Sequence, residues 1–456
     1  MPDAVARAAP VVVAGLLVAA AIFLRPYSHL ATAAGWLAGL VLLFVAARRA
    51  AACGDEQRRP EIGPPVTRRF EVVGLGGAVA VAAMLRFAFL ADVPSFIHND
   101  ESLFVADAIW RAHAPMPAPG PFAEVPWGWF PDLFGSGWNS FPALSTFLHW
   151  TPVMLFGPSN AALRFGCAVV GTATVLVLFL WVRRWWGGFA AVAAAWALAL
   201  ASEHVYWSRV ALNNVDVALL GAAALGAFAW TVDTRQPRAW VALGIVLGLG
   251  FHTYHGAKLH LPLTVATFAV AGLTGRLRFG RDDLRGAGWA TFALVLTVAP
   301  LLPDILATWD RWLLDHSGRL DIEPLAHAWA ARDWSRIEHY LLHHYYETTH
   351  LFRTTPWLTR LAIAGALVAC VRVFDLRFLT LLIWGGAVLL LGSFTVGWRS
   401  ARLISLAPMF AACAGLAVAQ ARALGGRFVA GYASAWPARA AAAIVTAALV
   451  VFLVQE

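Results

Sequence analysis

Apolar stretches of about 20 residues recur along the chain, at 72–90, 210–232 and 287–306 among others, and each can cross a hydrocarbon core of roughly 30 Å. Their spacing predicts thirteen membrane helices, at about 9–24, 29–47, 72–90, 161–182, 188–204, 209–231, 238–254, 257–274, 287–306, 357–373, 377–394, 401–420 and 431–453. The expected fold class is an all-α polytopic membrane protein. Small residues such as Gly244 and Gly248 predict close helix packing.

The apolar stretch 141–156 reads as an interfacial helix, because His149 and the prolines Pro142, Pro152 and Pro158 suit an interface better than lipid. With it left out, Arg183–Arg184, Arg235/Arg238, Arg276/Arg278/Arg281/Arg285 and Arg422/Arg427 fall on the same side as Arg48–Arg49, Arg58–Arg59 and Arg68–Arg69. That predicts a cytoplasmic N-terminus, an external C-terminus and two large external loops, 91–160 and 307–356. The first holds Asp92, Asp100, Glu101, Asp107, Glu124 and Asp132 against Arg111 alone. The second carries Trp309, Trp312, Trp329 and Trp334, and the aromatic content of both suits the headgroup zone.

Composition narrows the class further. The chain is 60% apolar and only 13% charged, with a mean hydropathy of +0.67, too little charge to cover a soluble domain of this length. The net charge of +8 follows from arginines between apolar helices, so it reports membrane topology and not a nucleic-acid partner. Four cysteines are scattered without metal or disulfide spacing, and no cleavable leader stands out.

Candidate chemistry concentrates where helices meet the external face. His98-Asn99-Asp100-Glu101 opens the first loop and leads into an amphipathic stretch; the two acids are either reactive carboxylates or first-turn acids of a capped helix. Ser208-Arg209 leads to Asn213, Asn214 and Asp216, the last expected about two turns inside an apolar span, where a carboxylate needs a partner or a wet cavity. His252-Thr253-Tyr254-His255-Gly256-Ala257-Lys258 joins two helices and brings imidazoles, a phenol and a cation, with a snorkelling lysine as the plain alternative. Arg399 and Arg402 run against the charge bias and suit a phosphate, or an anionic headgroup. His339, His343 and Glu347 recur on one helical face as zinc ligands do, but equally as an interfacial helix would. Acids from one loop facing cations from several segments form the layout that glycosyl transfer from a lipid phosphate needs.

On these residues the chain resembles the GT-C glycosyltransferases, in particular glycosyltransferase family 39, the protein O-mannosyltransferases, and the lipid-A aminoarabinose transferases. The likeness runs from about Arg69 to Gln420. It rests on Asp100-Glu101, the interfacial helix ending in Phe156-Gly157-Pro158-Ser159-Asn160-Ala161-Ala162-Leu163-Arg164, Ser208-Arg209…Asn213-Asn214, Tyr254-His255-Gly256-Ala257-Lys258…Pro262 and Arg402…Pro408. Bacterial members with Ser-Arg-x-x-Leu-Asn-Asn segments come especially close. Departures are the missing Lys or Arg in 126–138 and the two extra helices at the N-terminal end.

The resemblance implies a catalytic module over 69–420, preceded by an extra helical pair with its basic loop over 1–68 and followed by a last helix within 421–456. It implies a multi-pass protein of the cytoplasmic membrane with its site facing outward. The donor is a polyprenyl-phosphate sugar and the acceptor a cell-envelope glycan, lipid or protein. Asp100 is expected as general base with Glu101 orienting, while Arg209, Asn213, Asp216, His252, Tyr254, His255, Lys258, Arg399 and Arg402 bind substrate and phosphate. No cofactor is expected as obligatory, although some GT-C enzymes use a divalent cation. The rival reading, a secondary transporter or flippase, would place its ionisable groups and broken helices near the midplane.

Overall fold

The computed structural model describes residues 2–25, 27–50, 65–96, 98, 100, 101, 103, 134, 143–307, 323–339, 342, 354–393 and 403–430, and these are helical with no strand. Seven helices among them are long and apolar enough to cross a membrane, and five shorter apolar helices accompany them. All twelve fall on predicted spans. The thirteenth, at 431–453, lies outside the described residues.

The chain opens with a hairpin of α1 (Pro2–Leu24) and α2 (His29–Arg49), followed by α3 (Arg68–Phe87). The stretch 141–156 forms α4 (Ala143–Phe156), 14 residues with Pro152 inside it. Gly157, with φ of 81°, then turns the chain, and Ser159 caps α5 (Asn160–Trp186) by accepting from the Ala162 N–H at 3.1 Å. Next come α6 (Gly188–Leu200), the short α7 (Ser202–Trp207), α8 (Asn214–Thr234) and α9 (Pro237–Leu249). They are followed by α10 (His260–Leu273), α11 (Arg281–Val298) and α12 (Leu302–Ala307). The described remainder holds α13 (Glu323–Ala330), α14 (Pro356–Val371), α15 (Leu376–Ser393) and α16 (Ala407–Ala430).

The main core lies between α3, α5, α6, α8 and the last helices, where Trp181, Trp185 and Trp186 meet edge to face at 5.5 to 6.3 Å. A second core joins the α1–α2 hairpin to α9 and α11. The glycines predicted to permit close packing do so here. A Cβ on Gly244 would strike the Ala290 carbonyl, and one on Gly248 would stand 2.6 Å from the Thr297 side chain.

The two ends of the bundle differ in character. At one end Arg183 pairs with Glu71 (2.8 Å), Arg184 with Asp233 (3.1 Å) and Arg235 with Asp283 (2.9 Å). These pairs gather the predicted arginine clusters in one place. The opposite end holds the acid pair.

Several predicted spans are broken there. The span at 188–204 ends at Leu200, and the span expected from 209 starts only at Asn214, because 208–213 fold as a buried turn. The span at 238–254 gives way to a 3-10 turn at Gly250–His252, and that at 257–274 begins with another at His255–Leu259. Pro300 interrupts 287–306, as its missing N–H requires. The boundary drawn at 420 falls inside α16, which runs on to Ala430.

Candidate active site

The acid pair opens a helix, and the two carboxylates have different fates. The His98 Nδ1 accepts from the Asp100 N–H (3.2 Å), while the His98 N–H donates to Glu101 Oε2 (2.8 Å). This is a reciprocal cap built on a histidine, and it explains why an acid stands at the third position. Glu101 is fully buried and also accepts from Arg164 Nε (2.9 Å), Arg164 Nη2 (3.2 Å) and the Ala211 N–H (2.8 Å). Its oxygens are thus committed to protein, which makes it an anchor between α5 and the 208–213 turn. Asp100 stays 44% exposed, its Oδ2 lying 3.9 Å from His98 Nδ1. One acid is fixed and the other faces outward.

Three buried arginines hold this end together. Arg164 reaches the carbonyls of Leu90 (3.3 Å), Pro94 (3.0 Å) and Phe96 (3.0 Å) beyond its bond to Glu101. Arg86 donates to Leu198 and Ala199 carbonyls at the end of α6, and to His204 Nδ1 at 2.8 Å. Arg209, expected to bind phosphate, instead donates from all three nitrogens to the carbonyls of Leu85, Ala88, Phe89 and Val93. The physical reason is that the last carbonyls of α3 and the turn after it lack helical partners, and a guanidinium fork satisfies several at once. Burial, and then the charge of Arg164, lower the Arg209 pKa from its usual range. Burial, and then the adjacent Arg86, hold the His204 imidazole well below 6.5. Tyr206 is raised above its usual range by burial first and then by Glu101.

The start of α8 adds further buried polar groups. Asn213 Nδ2 donates to the buried Ser145 Oγ of α4 at 3.4 Å, and Cys167 donates to the Leu212 carbonyl at 3.2 Å. Asp216 sits in the first turn of α8, not two turns inside a span, because the helix starts five residues later than expected. It is 4% exposed, and its Oδ2 has no hydrogen-bond partner among the described residues. The positive end of the helix dipole lies beside it.

The 252–258 segment divides. Lys258 Nζ meets His255 Nδ1 at 2.9 Å, and both side chains, with Tyr254, are half-buried next to the start of α8, where Val217 lies against Gly256. His252, expected to face substrate, turns inward instead. It is fully buried, and its Nε2 meets the Thr297 carbonyl at 2.8 Å.

Arg399, Arg402, His343 and Glu347 lie outside the described residues, and His339 is exposed on a short helical segment. Sequence reasoning passed over Arg86 and Arg164 as functional positions. Arg86 carried a usable signal, a charge inside an apolar span; Arg164 stood in a quoted motif with no role given to it.

Comparisons with known proteins bear on this arrangement. A family model described as dolichyl-phosphate-mannose-protein mannosyltransferase matches residues 140–302. The chain is 31% identical over 153 residues to undecaprenyl phosphate-alpha-4-amino-4-deoxy-L-arabinose arabinosyl transferase 2 of Sodalis glossinidius (strain morsitans), a match covering 31% of this chain and 27% of that protein. Among solved structures, the oligosaccharyltransferase AglB of Archaeoglobus fulgidus, in complex with an inhibitory peptide and a dolichol-phosphate, aligns with a TM-score of 0.55 at 16% identity. That alignment covers 84% of this chain and 55% of AglB. ArnT of Cupriavidus metallidurans bound to undecaprenyl phosphate aligns with a TM-score of 0.54 at 15% identity, over 85% of this chain and 71% of ArnT. The chain therefore matches about a quarter of the curated relative and just over half of the oligosaccharyltransferase.

Proposed function

The chain has the fold of the GT-C superfamily of membrane glycosyltransferases, and we propose that it moves a sugar from a polyprenyl-phosphate carrier to an acceptor hydroxyl. The observation that carries this reading is the split in the acid pair: Glu101 is locked by Arg164 and the Ala211 N–H, and Asp100 is left partly exposed beside it.

Asp100 takes the proton of the acceptor hydroxyl as that oxygen attacks the anomeric carbon. The bond from the anomeric carbon to the phosphate oxygen breaks as the new glycosidic bond forms, and polyprenyl phosphate leaves as an anion. A single displacement of this kind inverts the anomeric centre. Base assistance contributes about 10²–10⁴-fold to such a step. The leaving phosphate needs no proton, only opposing charge, which Lys258 with its His255 partner supplies; Arg399 and Arg402 are assigned to the same task. Arg209 is not, since its nitrogens hold carbonyls. Asn213 and Asp216, at the start of α8 just after the turn that Glu101 holds, are assigned to sugar hydroxyls.

The reaction takes place on the extracytoplasmic side of the cytoplasmic membrane, with the arginine-rich end of the bundle inside, as the charge bias of the loops supports. The acceptor is a component of the cell envelope.

Purified protein in lipid, given radiolabelled polyprenyl-phosphate sugars and envelope extracts, is expected to form a covalent labelled product. Uptake of label into proteoliposomes without a covalent product would replace transfer with transport.

A further inference from the structure

Phe134, in the first loop, is 1% exposed. Its ring meets Trp36 of α2 edge to face at 5.3 Å and His252 at 5.9 Å, and Trp36 and His252 lie 5.3 Å apart. Three segments remote in sequence therefore share one aromatic contact. Trp36 Nε1 donates to the Thr297 carbonyl at 3.1 Å, and His252 Nε2 meets the same oxygen at 2.8 Å. That carbonyl is in the last turn of α11, just before the 3-10 turn at Ala299–Leu301, among the end carbonyls that a helix ladder leaves over. Arg25, at the end of α1, fastens the hairpin to the same corner through Asp304 (2.7 Å) and the Pro300 carbonyl (3.1 Å).

His252 is also the last residue of the turn that precedes Tyr254, His255 and Lys258. The two short turns are in tight register, since a Cβ on Gly250 would stand 2.8 Å from the Ala257 carbonyl. His252 and Lys258 therefore belong to two turns packed directly against each other.

We infer that Trp36, His252 and Phe134 form an internal aromatic latch, through which the α1–α2 hairpin and the first loop together position the Tyr254–Lys258 turn. All three are positioning residues, and their catalytic meaning rests on the glycosyl-transfer reading. The hairpin is then a working part of the site and not an accessory to it.

Hydrogen exchange of the protein in lipid nanodiscs tests the latch without any assay of activity. Phe134→Ala is expected to speed exchange of the 250–259 amides about tenfold, because it removes the knob that holds the corner closed. Phe134→Leu restores most of the protection, Trp36→Phe gives a smaller effect of the same sign, and Phe156→Ala, at a side chain 67% exposed, changes nothing at 250–259. In the transfer assay Phe134→Ala raises the donor KM about tenfold while kcat stays within about threefold, a split that a loss of folded protein does not produce. Should Phe134→Ala fail to fold, Trp36→Phe carries the comparison. Unchanged exchange at 250–259 in the Phe134 and Trp36 variants overturns the latch. Absence of transfer in the unaltered protein removes the glycosyl-transfer reading and leaves the exchange result to decide the latch.

Discussion

Arginine does two kinds of work in this chain, and its sequence context does not separate them. Arg86, Arg164 and Arg209 each carry a fixed charge near a helix end, where a lipid phosphate would also be expected to bind. Most of their N–H groups go to backbone carbonyls, to Glu101 and to His204 Nδ1 instead, since a desolvated guanidinium needs acceptors. A buried pair broken on one side leaves an uncompensated charge, so Arg164→Ala or Glu101→Gln is expected to cost about 3–5 kcal/mol. Arg164→Lys does not rescue, because one ammonium cannot reach both Glu101 oxygens and three carbonyls. Thermal unfolding in detergent checks this; a variant melting with the wild type would remove the clamp from the account. His204 sets a pH limit at the same scale. Its folded pKa lies well below 6.5 while the unfolded chain titrates normally, so unfolding takes up a proton below that pH. The contribution of His204 to stability is present above about pH 6.5 and is lost as the pH drops below it. His204→Gln is expected to flatten that acid limb in melts taken between pH 7.5 and 5, and an unchanged slope would show that His204 does not set it.

Helices were legible wherever apolar length alone decides, and least legible where a polar requirement breaks them. The chain leaves the helix at Ala201 and again between Ser208 and Asn213, so that the Ala211 N–H can meet Glu101 from the first loop. No local pattern announces that, because the partner lies 110 residues away. The helix at 143–156 was legible from its apolar run. What pins it was not: Gly166 of α5 lies so close to α4 that a Cβ there would run into the Leu148 carbonyl. Gly166→Val should therefore displace α4 and cost about 1–3 kcal/mol, as overpacking does. Gly76→Ala, with nothing within 4 Å of the added carbon, should be neutral. Equal melting temperatures for the two variants would show that α4 is not held at this crossing.

Across the whole molecule, the charge pattern foresaw which helix ends share a face, because arginines between apolar spans are costly to move through lipid. The acid pair was legible as candidate chemistry but not as a division of labour, since only the folded chain shows that Glu101 is occupied. The proposed sidedness has its own check. In a chain with its four cysteines replaced by alanine, Ser95→Cys is expected to react with an impermeant maleimide in intact cells and Thr274→Cys is not; the reverse pattern would invert the topology. The central claim is narrower, that Asp100 removes the acceptor proton. Single-turnover transfer from a saturating polyprenyl-phosphate sugar, with donor binding measured separately, isolates that step. For Asp100→Asn the transfer rate should fall about 10²–10⁴-fold with donor affinity nearly unchanged. A rate within a few-fold of wild type would show that the proton leaves by another route.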